Sequence, residues 1–310
     1  MTAPVLALRA LGLGDALTAV PALRGLRRLA PDRPLLLAGP AGLGGWLAEL
    51  GIVDDVVPVA GLSAQPPGRA LGSHVAVNLH GRGPDSHRLL QESRPTDLLA
   101  FDCPAASHHS RTRWRSDEHE VDRWCRLVNA AGGHCTADDL RVSVPGVVRD
   151  DVVVLHPGAA AGARRWPIDR WTAVARELRS DGADLVLTGT ERELCRAIAR
   201  QVPANDASGD LPIGEFAGLV ARAGLVLSTD TGIAHLATAT GTRSVTLFGP
   251  TPPAFWGPAI DSDLHTVVHH GTGPGDPHAA RTDEALLRIS VQEVLTAARA
   301  QRAGTIPRSS

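Results

Sequence analysis

Short apolar runs of four or five residues alternate along the chain with longer segments in which apolar residues recur every three or four positions. That alternation predicts parallel strands joined by crossover helices. In the first half, residues 5–8, 35–38, 56–59, 75–79 and 98–101 read as strands. Helices are predicted through Leu17, Val20, Leu23 and Leu26, over 43–50 and over 121–131. The first of them ends in Arg24, Arg27 and Arg28, cations that suit the negative end of a helix dipole. In the second half the strands are 152–155, 184–187, 225–227 and 244–248. The matching helices cover 168–179, a segment starting near Glu191, 215–222, 231–240 and 291–300.

The same grammar therefore runs twice. Proline, glycine and charge gather at 145–151, and a strand restarts at once, so the expected domains are 1–148 and 149–303 with a disordered tail at 304–310. A chain of 310 residues suits two domains of roughly 150 each. The expected fold class is α/β, with two Rossmann-like domains whose parallel sheets face each other across a cleft. Ligands of such sheets bind at the C-terminal ends of the strands.

Composition narrows the function classes. A net charge of -2 and a pI near 6.7 give no reason to expect nucleic acid as a partner. No apolar stretch approaches the roughly 20 residues that span a bilayer. The segment 1–10 reads as a buried strand entering a glycine turn rather than as a signal peptide, and the four scattered cysteines suit a reducing compartment. The expected location is cytoplasmic, with at most peripheral contact at the inner face of a membrane. The chain has no Lys and no Tyr, a depletion that points to a GC-rich genome. Any role that falls to Lys elsewhere must pass here to Arg, which suits phosphate but serves poorly as a general base.

Three strand-to-helix turns carry the chemistry. At the first, Gly12 and Gly14 allow a sharp turn and a close approach, and Asp15 follows. Asp15 can cap the helix or project into the cleft as a general base. Leu17 stands where a dinucleotide fingerprint needs a small residue, which argues against a nicotinamide-dependent dehydrogenase. The second turn runs from His156 through Gly158 and Ala159 to Arg164, Arg165 and Trp166. Its exposed amides and guanidinium forks make either a diphosphate cradle or a solvated loop. The third, Ser228-Thr229-Asp230-Thr231-Gly232-Ile233-Ala234-His235, opens an apolar helix whose N-terminal amides favour an anion. Thr229 or Asp230 capping that helix is the structural alternative, and His235 sits one turn into it.

Other features weigh less. Asp261-Ser262-Asp263 has the spacing of a divalent-cation motif but lies in a Pro/Gly-rich loop, so no metal is expected. The pairs His108-His109 and His269-His270 read as loop residues. Trp114 with Arg111 to Arg115 can line an acceptor site.

At the three turns the sequence resembles glycosyltransferase family 9, the heptosyltransferases of lipopolysaccharide inner-core assembly. The resemblance rests on Gly12-x-Gly14-Asp15 with Pro21-Ala22-Leu23, on His156-Pro157-Gly158-Ala159 with Arg165-Trp166-Pro167, and on the segment 228–236 with 246–251. It implies a GT-B fold and an inverting transfer of a sugar, typically from ADP-heptose, to an acceptor hydroxyl, without cofactor or metal. It implies that Asp15 is the catalytic base and that Asp230, Thr231, Gly232 and His235 hold the donor. Arg164 takes the place of a family Lys on the donor phosphate, and Gly189-Thr190-Glu191 matches a turn whose acid meets the ribose. The acceptor would be a cell-envelope glycan, a glycolipid or a small molecule. The alternatives are a sugar-nucleotide epimerase of the same architecture and a non-catalytic subunit that binds a sugar nucleotide.

Overall fold

The computed structural model describes residues 2–62, 65–67 and 71–304. The chain divides into two compact units, Met1–Leu140 and Arg141–Ser310. The boundary expected near 148 falls inside the second unit. Backbone N–H of Val142 donates to Ala239 O at 2.7 Å, and Arg141 pairs with Asp261 at 2.5 Å, which ties the connecting segment to that unit. Of the tail expected at 304–310, only Gly304 is described, and it caps the last helix.

The first unit runs β1 (Val5–Leu8), α1 (Leu13–Thr18), α2 (Val20–Leu29), β2 (Leu35–Gly39), α3 (Ala41–Glu49), β3 (Asp55–Pro58), β4 (Val75–Asn78), α4 (Asp85–Glu92), β5 (Asp97–Leu99) and α5 (Glu120–Ala130). Its strands are all parallel, in the order β3-β2-β1-β4-β5. Every residue of β1 is buried, as expected of a central strand covered on both faces. Pro58 closes the edge strand β3, where a missing donor costs no ladder bond.

The second unit runs β6 (Val152–His156), α6 (Ile168–Ser180), β7 (Asp184–Leu187), α7 (Arg192–Ala199), β8 (Asn205–Asp206), α8 (Ile213–Arg222), β9 (Leu225–Thr229), α9 (Gly232–Thr240), β10 (Ser244–Phe248), α10 (Pro253–Trp256), β11 (His265–His269), α11 (Glu284–Arg288) and α12 (Val291–Ala303). Six parallel strands follow the order β11-β10-β9-β6-β7-β8. Val153, Leu155, Leu225, Leu227, Val245 and Leu247 form its core with Trp171 and Trp166, whose rings meet edge to face at 5.0 Å.

Several elements differ from the pattern-based expectation. The first helix is two helices, because Pro21 has no N–H to donate and the chain restarts at Val20. The fifth strand is Asp97–Leu99, shorter than 98–101. Helix α4 lacks an apolar stripe because two of its buried residues are polar. Ser86 Oγ accepts from Asn78 Nδ2 at 2.9 Å, and His87 Nε2 lies 2.9 Å from Phe101 O. His269 ends β11 rather than lying in a loop. No helix among the described residues is long and apolar enough to cross a membrane.

Candidate active site

In each sheet the chain reverses its direction of travel once. In the first unit the reversal lies between β1 and β4, and in the second between β6 and β9. Beyond the carboxyl ends of two such strands the following loops part in opposite directions, which leaves a crevice for a ligand. Asp15 follows β1 at the first of these points, Arg164 follows β6 and Asp230 and His235 follow β9 at the second, and Gly189 and Glu191 follow the neighbouring strand β7.

In the first unit β1 leads through Arg9 and Ala10 into α1. Gly12 is the N-cap, so Asp15 sits in the first turn of the helix and is not its cap. Its carboxylate is turned instead to Arg9, whose Nη2 lies 3.2 Å from Asp15 Oδ1. From the other strand, His80 Nδ1 accepts the Ala10 N–H at 3.2 Å. Burial, with the Arg9 guanidinium beside it, pushes the His80 imidazole down to about 4, so it is neutral at pH 7.

The second unit gathers two groups. On the β6–β7 side, Gly158 faces Glu191 so closely that a side chain at 158 would collide with the carboxylate. Glu191 Oε1 is held by Arg165 Nη2 at 3.1 Å, and Arg165 Nε donates to Ala159 O at 2.8 Å. Arg165 therefore braces the acid rather than presenting its fork to an anion. Gly189 has φ +136, a conformation open to glycine alone, with His156 Cε1 3.6 Å from where a Cβ would stand. His156 Nδ1 lies 3.0 Å from Thr188 Oγ1, and burial pushes its imidazole down to about 4 against the opposing pull of Glu191.

On the β6–β9 side, Arg164 Nη1 donates to Asp230 O at 3.1 Å. Asp230 is buried, and His235 Nε2 lies 4.0 Å from its Oδ1. The His235 ring meets Trp256 edge-on at 5.7 Å. Helix α9 starts with Thr231 as N-cap, whose own side chain does not cap it, and Thr229 Oγ1 has no partner among the described residues, so the expected cap Thr229 is not used. Ala234 N–H turns back to Thr231 O at 3.0 Å, and the N-terminal end of such a helix favours an anion. Arg164 Nε, Ser228 Oγ and Thr229 Oγ1 are buried without hydrogen-bond partners among the described residues, which marks this corner as polar beyond its structural needs.

The remaining sequence candidates are otherwise engaged. Asp261 pairs with Arg141, and the described residues contain no group of three or more His, Cys, Asp or Glu that could hold a metal ion. Trp114 packs edge-on against Phe101 at 5.3 Å and Trp124 at 5.9 Å. It is therefore part of the packing, while Arg111, Arg113 and Arg115 alternate with it on the exposed side. Sequence reasoning missed Arg9, Glu120, His80 and Trp256. None of them stands in a local motif, and each joins the site only through tertiary contacts.

The chain belongs to glycosyltransferase family 9 (heptosyltransferase), whose model matches residues 108–280, more than half of its length. Lipopolysaccharide heptosyltransferase 2 of Escherichia coli K12 is 28% identical over 152 residues, 45% of this chain and 43% of that protein. The chain thus matches under half the length of that relative. Among solved structures, a family 9 glycosyltransferase from Veillonella parvula superposes with a TM-score of 0.81 at 18% identity, covering 98% of this chain and 99% of that one. An E. coli heptosyltransferase solved with ADP-2-deoxy-2-fluoro heptose gives 0.72 at 17% identity, covering 94% and 98%. These structures establish the GT-B fold. Family membership favours transfer over the epimerase and the non-catalytic subunit.

Proposed function

We propose that the protein is an inverting glycosyltransferase that moves a heptose-like sugar from ADP-heptose to a hydroxyl of a cell-envelope glycan or glycolipid. The observation that carries this reading is the paired arrangement at the β6–β9 reversal. Arg164 and the N-terminal end of α9 bring positive charge and N–H groups to one corner, as a leaving diphosphate requires. The E. coli relative solved with an ADP-heptose analogue supports the choice of donor.

In this mechanism Asp15 takes the proton of the acceptor hydroxyl as its oxygen attacks the anomeric carbon. The bond from that carbon to the diphosphate oxygen breaks, and ADP leaves with the electron pair. Attack from the opposite face inverts the configuration. Positive charge develops on the sugar in the transition state, and a carboxylate nearby stabilises it. Negative charge grows on the β-phosphate and is met by Arg164 and the amides at Thr231 and Gly232. His235, held near Asp230, faces the sugar side, and Glu191, with Gly158, Ala159 and Gly189 giving room, accepts from the ribose hydroxyls. The protein's own residues supply this chemistry without a cofactor.

The test is binding and slow hydrolysis of ADP-, GDP-, UDP- and dTDP-sugars by the wild type and Asp15→Asn. Selective binding of an ADP-sugar by both proteins, with hydrolysis lost only in the variant, is the expected result. Failure of any nucleotide sugar to bind at millimolar concentration overturns the reading.

A further inference from the structure

The first unit contains a buried chain of charges that ends on Asp15. Arg9 has a side chain only 1% exposed, and each of its three nitrogens is engaged. Nε donates to Asp15 O at 2.9 Å and Nη1 to Leu79 O at 2.5 Å. Nη2 is shared by Asp15 Oδ1 at 3.2 Å, Thr18 Oγ1 at 3.2 Å and Glu120 Oε1 at 2.9 Å. Glu120 opens α5 and is itself buried; its Oε1 also accepts from Trp124 Nε1 at 2.8 Å, and its Oε2 pairs with Arg123. Exposure rises along this chain only at its end, since the Asp15 side chain is 31% exposed against 6% for Glu120.

Stability alone does not account for such an arrangement. Desolvating buried charges offsets most of their mutual attraction, and an apolar group of similar volume stabilises a core as well. What the network delivers is a direction for one carboxylate, the member that reaches solvent. We propose that Arg9 and Glu120 are positioning residues for Asp15: Arg9 fixes where its carboxylate points, and Glu120 offsets the Arg9 charge so that the carboxylate can still accept a proton. This inference rests on the reading of Asp15 as the base.

The charges around the network set the expected signs. A lone guanidinium beside a carboxylate favours its ionised form and weakens it as a base, and a second carboxylate on the same guanidinium opposes that effect. From α5 come Glu120 and Arg123, and from the end of β4 comes His80, which burial keeps neutral above a pH of about 4. The arginines of α2 turn elsewhere, Arg24 and Arg28 to Asp139 and Arg27 to Asp54. Removing Glu120 and removing Arg9 must therefore move Asp15 in opposite directions, which a merely structural role for either residue would not do.

The experiment is a carbon-13 NMR titration of the Asp15 carboxyl, assigned by its loss in Asp15→Asn, in the full-length protein. Glu120→Gln is expected to lower the midpoint and Arg9→Met to raise it, each by about one pH unit, with the double variant returning toward the wild type. If Arg9→Met does not fold, Glu120→Gln must still lower the midpoint while Arg9→Lys, which keeps the charge, leaves it near the wild-type value. No movement in Glu120→Gln, or movement of both single variants in one direction, overturns the proposal. The titration needs no substrate. Turnover of ADP-heptose by Asp15→Asn tests the base separately: activity retained there would end the reading of Asp15 while leaving the titration to be judged by itself.

Discussion

Arg164 reaches from the loop after β6 to the end of β9, where its Nη1 donates to the Asp230 carbonyl oxygen at 3.1 Å. One guanidinium thus joins the two strands between which the sheet reverses. The contact fixes the direction of the side chain and leaves Nε, a buried donor, without a partner among the described residues. A cation so placed sits beside the start of α9, and the two features reinforce each other as a candidate anion site.

Replacing Arg164 with Ala is therefore expected to weaken ADP binding about 10- to 100-fold, the range for a hydrogen bond to a charged group. Arg164→Lys, which keeps a point charge, should lose less. Calorimetric titration with ADP checks both, and equal affinity in all three proteins would show that Arg164 does not meet the phosphates.

Asp15→Asn keeps the shape of the side chain and removes the proposed base. Acceptor-independent hydrolysis of ADP-heptose should fall by about 10²- to 10⁴-fold with ADP affinity unchanged. Release of ADP measured under single-turnover conditions separates the two effects.

At Gly158 a methyl group would displace the Glu191 carboxylate, which Arg165 holds in place. Gly158→Ala should reduce affinity for ADP more than for inorganic pyrophosphate, because it displaces the acid proposed to meet the ribose and leaves the proposed diphosphate groups in place. At Gly189 the cost is conformational. Gly189→Ala forces φ +136 on a residue with a Cβ, and a loss of about 1–3 kcal/mol in urea unfolding is expected.

His80, His156 and His265 are each pushed down to about 4, chiefly by burial. For a group whose folded value lies below its unfolded value near 6.5, the unfolded chain binds more protons in the interval between them. Stability is then full above about pH 6.5 and is lost as the pH falls toward 4. Urea unfolding at pH 7 and pH 5 should differ by on the order of 1 kcal/mol for each histidine, after allowance for the solvent contact that His80 and His156 keep. His156→Gln should remove its own part of that slope, and an unchanged slope would show that His156 titrates normally.

The sequence by itself determined the fold class and the location of all three turns. Strands buried on both faces of a parallel sheet must be continuous apolar runs, and turns into helices need glycine and hydroxyl residues, so both leave a local record. Asp15 and Asp230 stood out as candidates for the same reason, since each stands beside such a turn, whereas Glu191 was singled out only through the family resemblance. Helix α4 and the strand β11 were not, because polar residues fill buried places in α4 and β11 is a half-polar strand at the edge of its sheet. The partners of the site residues were decided only by tertiary structure. Arg9 and Glu120 lie 111 residues apart, and a charged residue shows the same local pattern whether it ends in solvent or in a buried pair. Which of the two it becomes depends on the order of the strands and the packing of α5, and these follow from the sum of many weak apolar contacts that no short stretch of sequence contains.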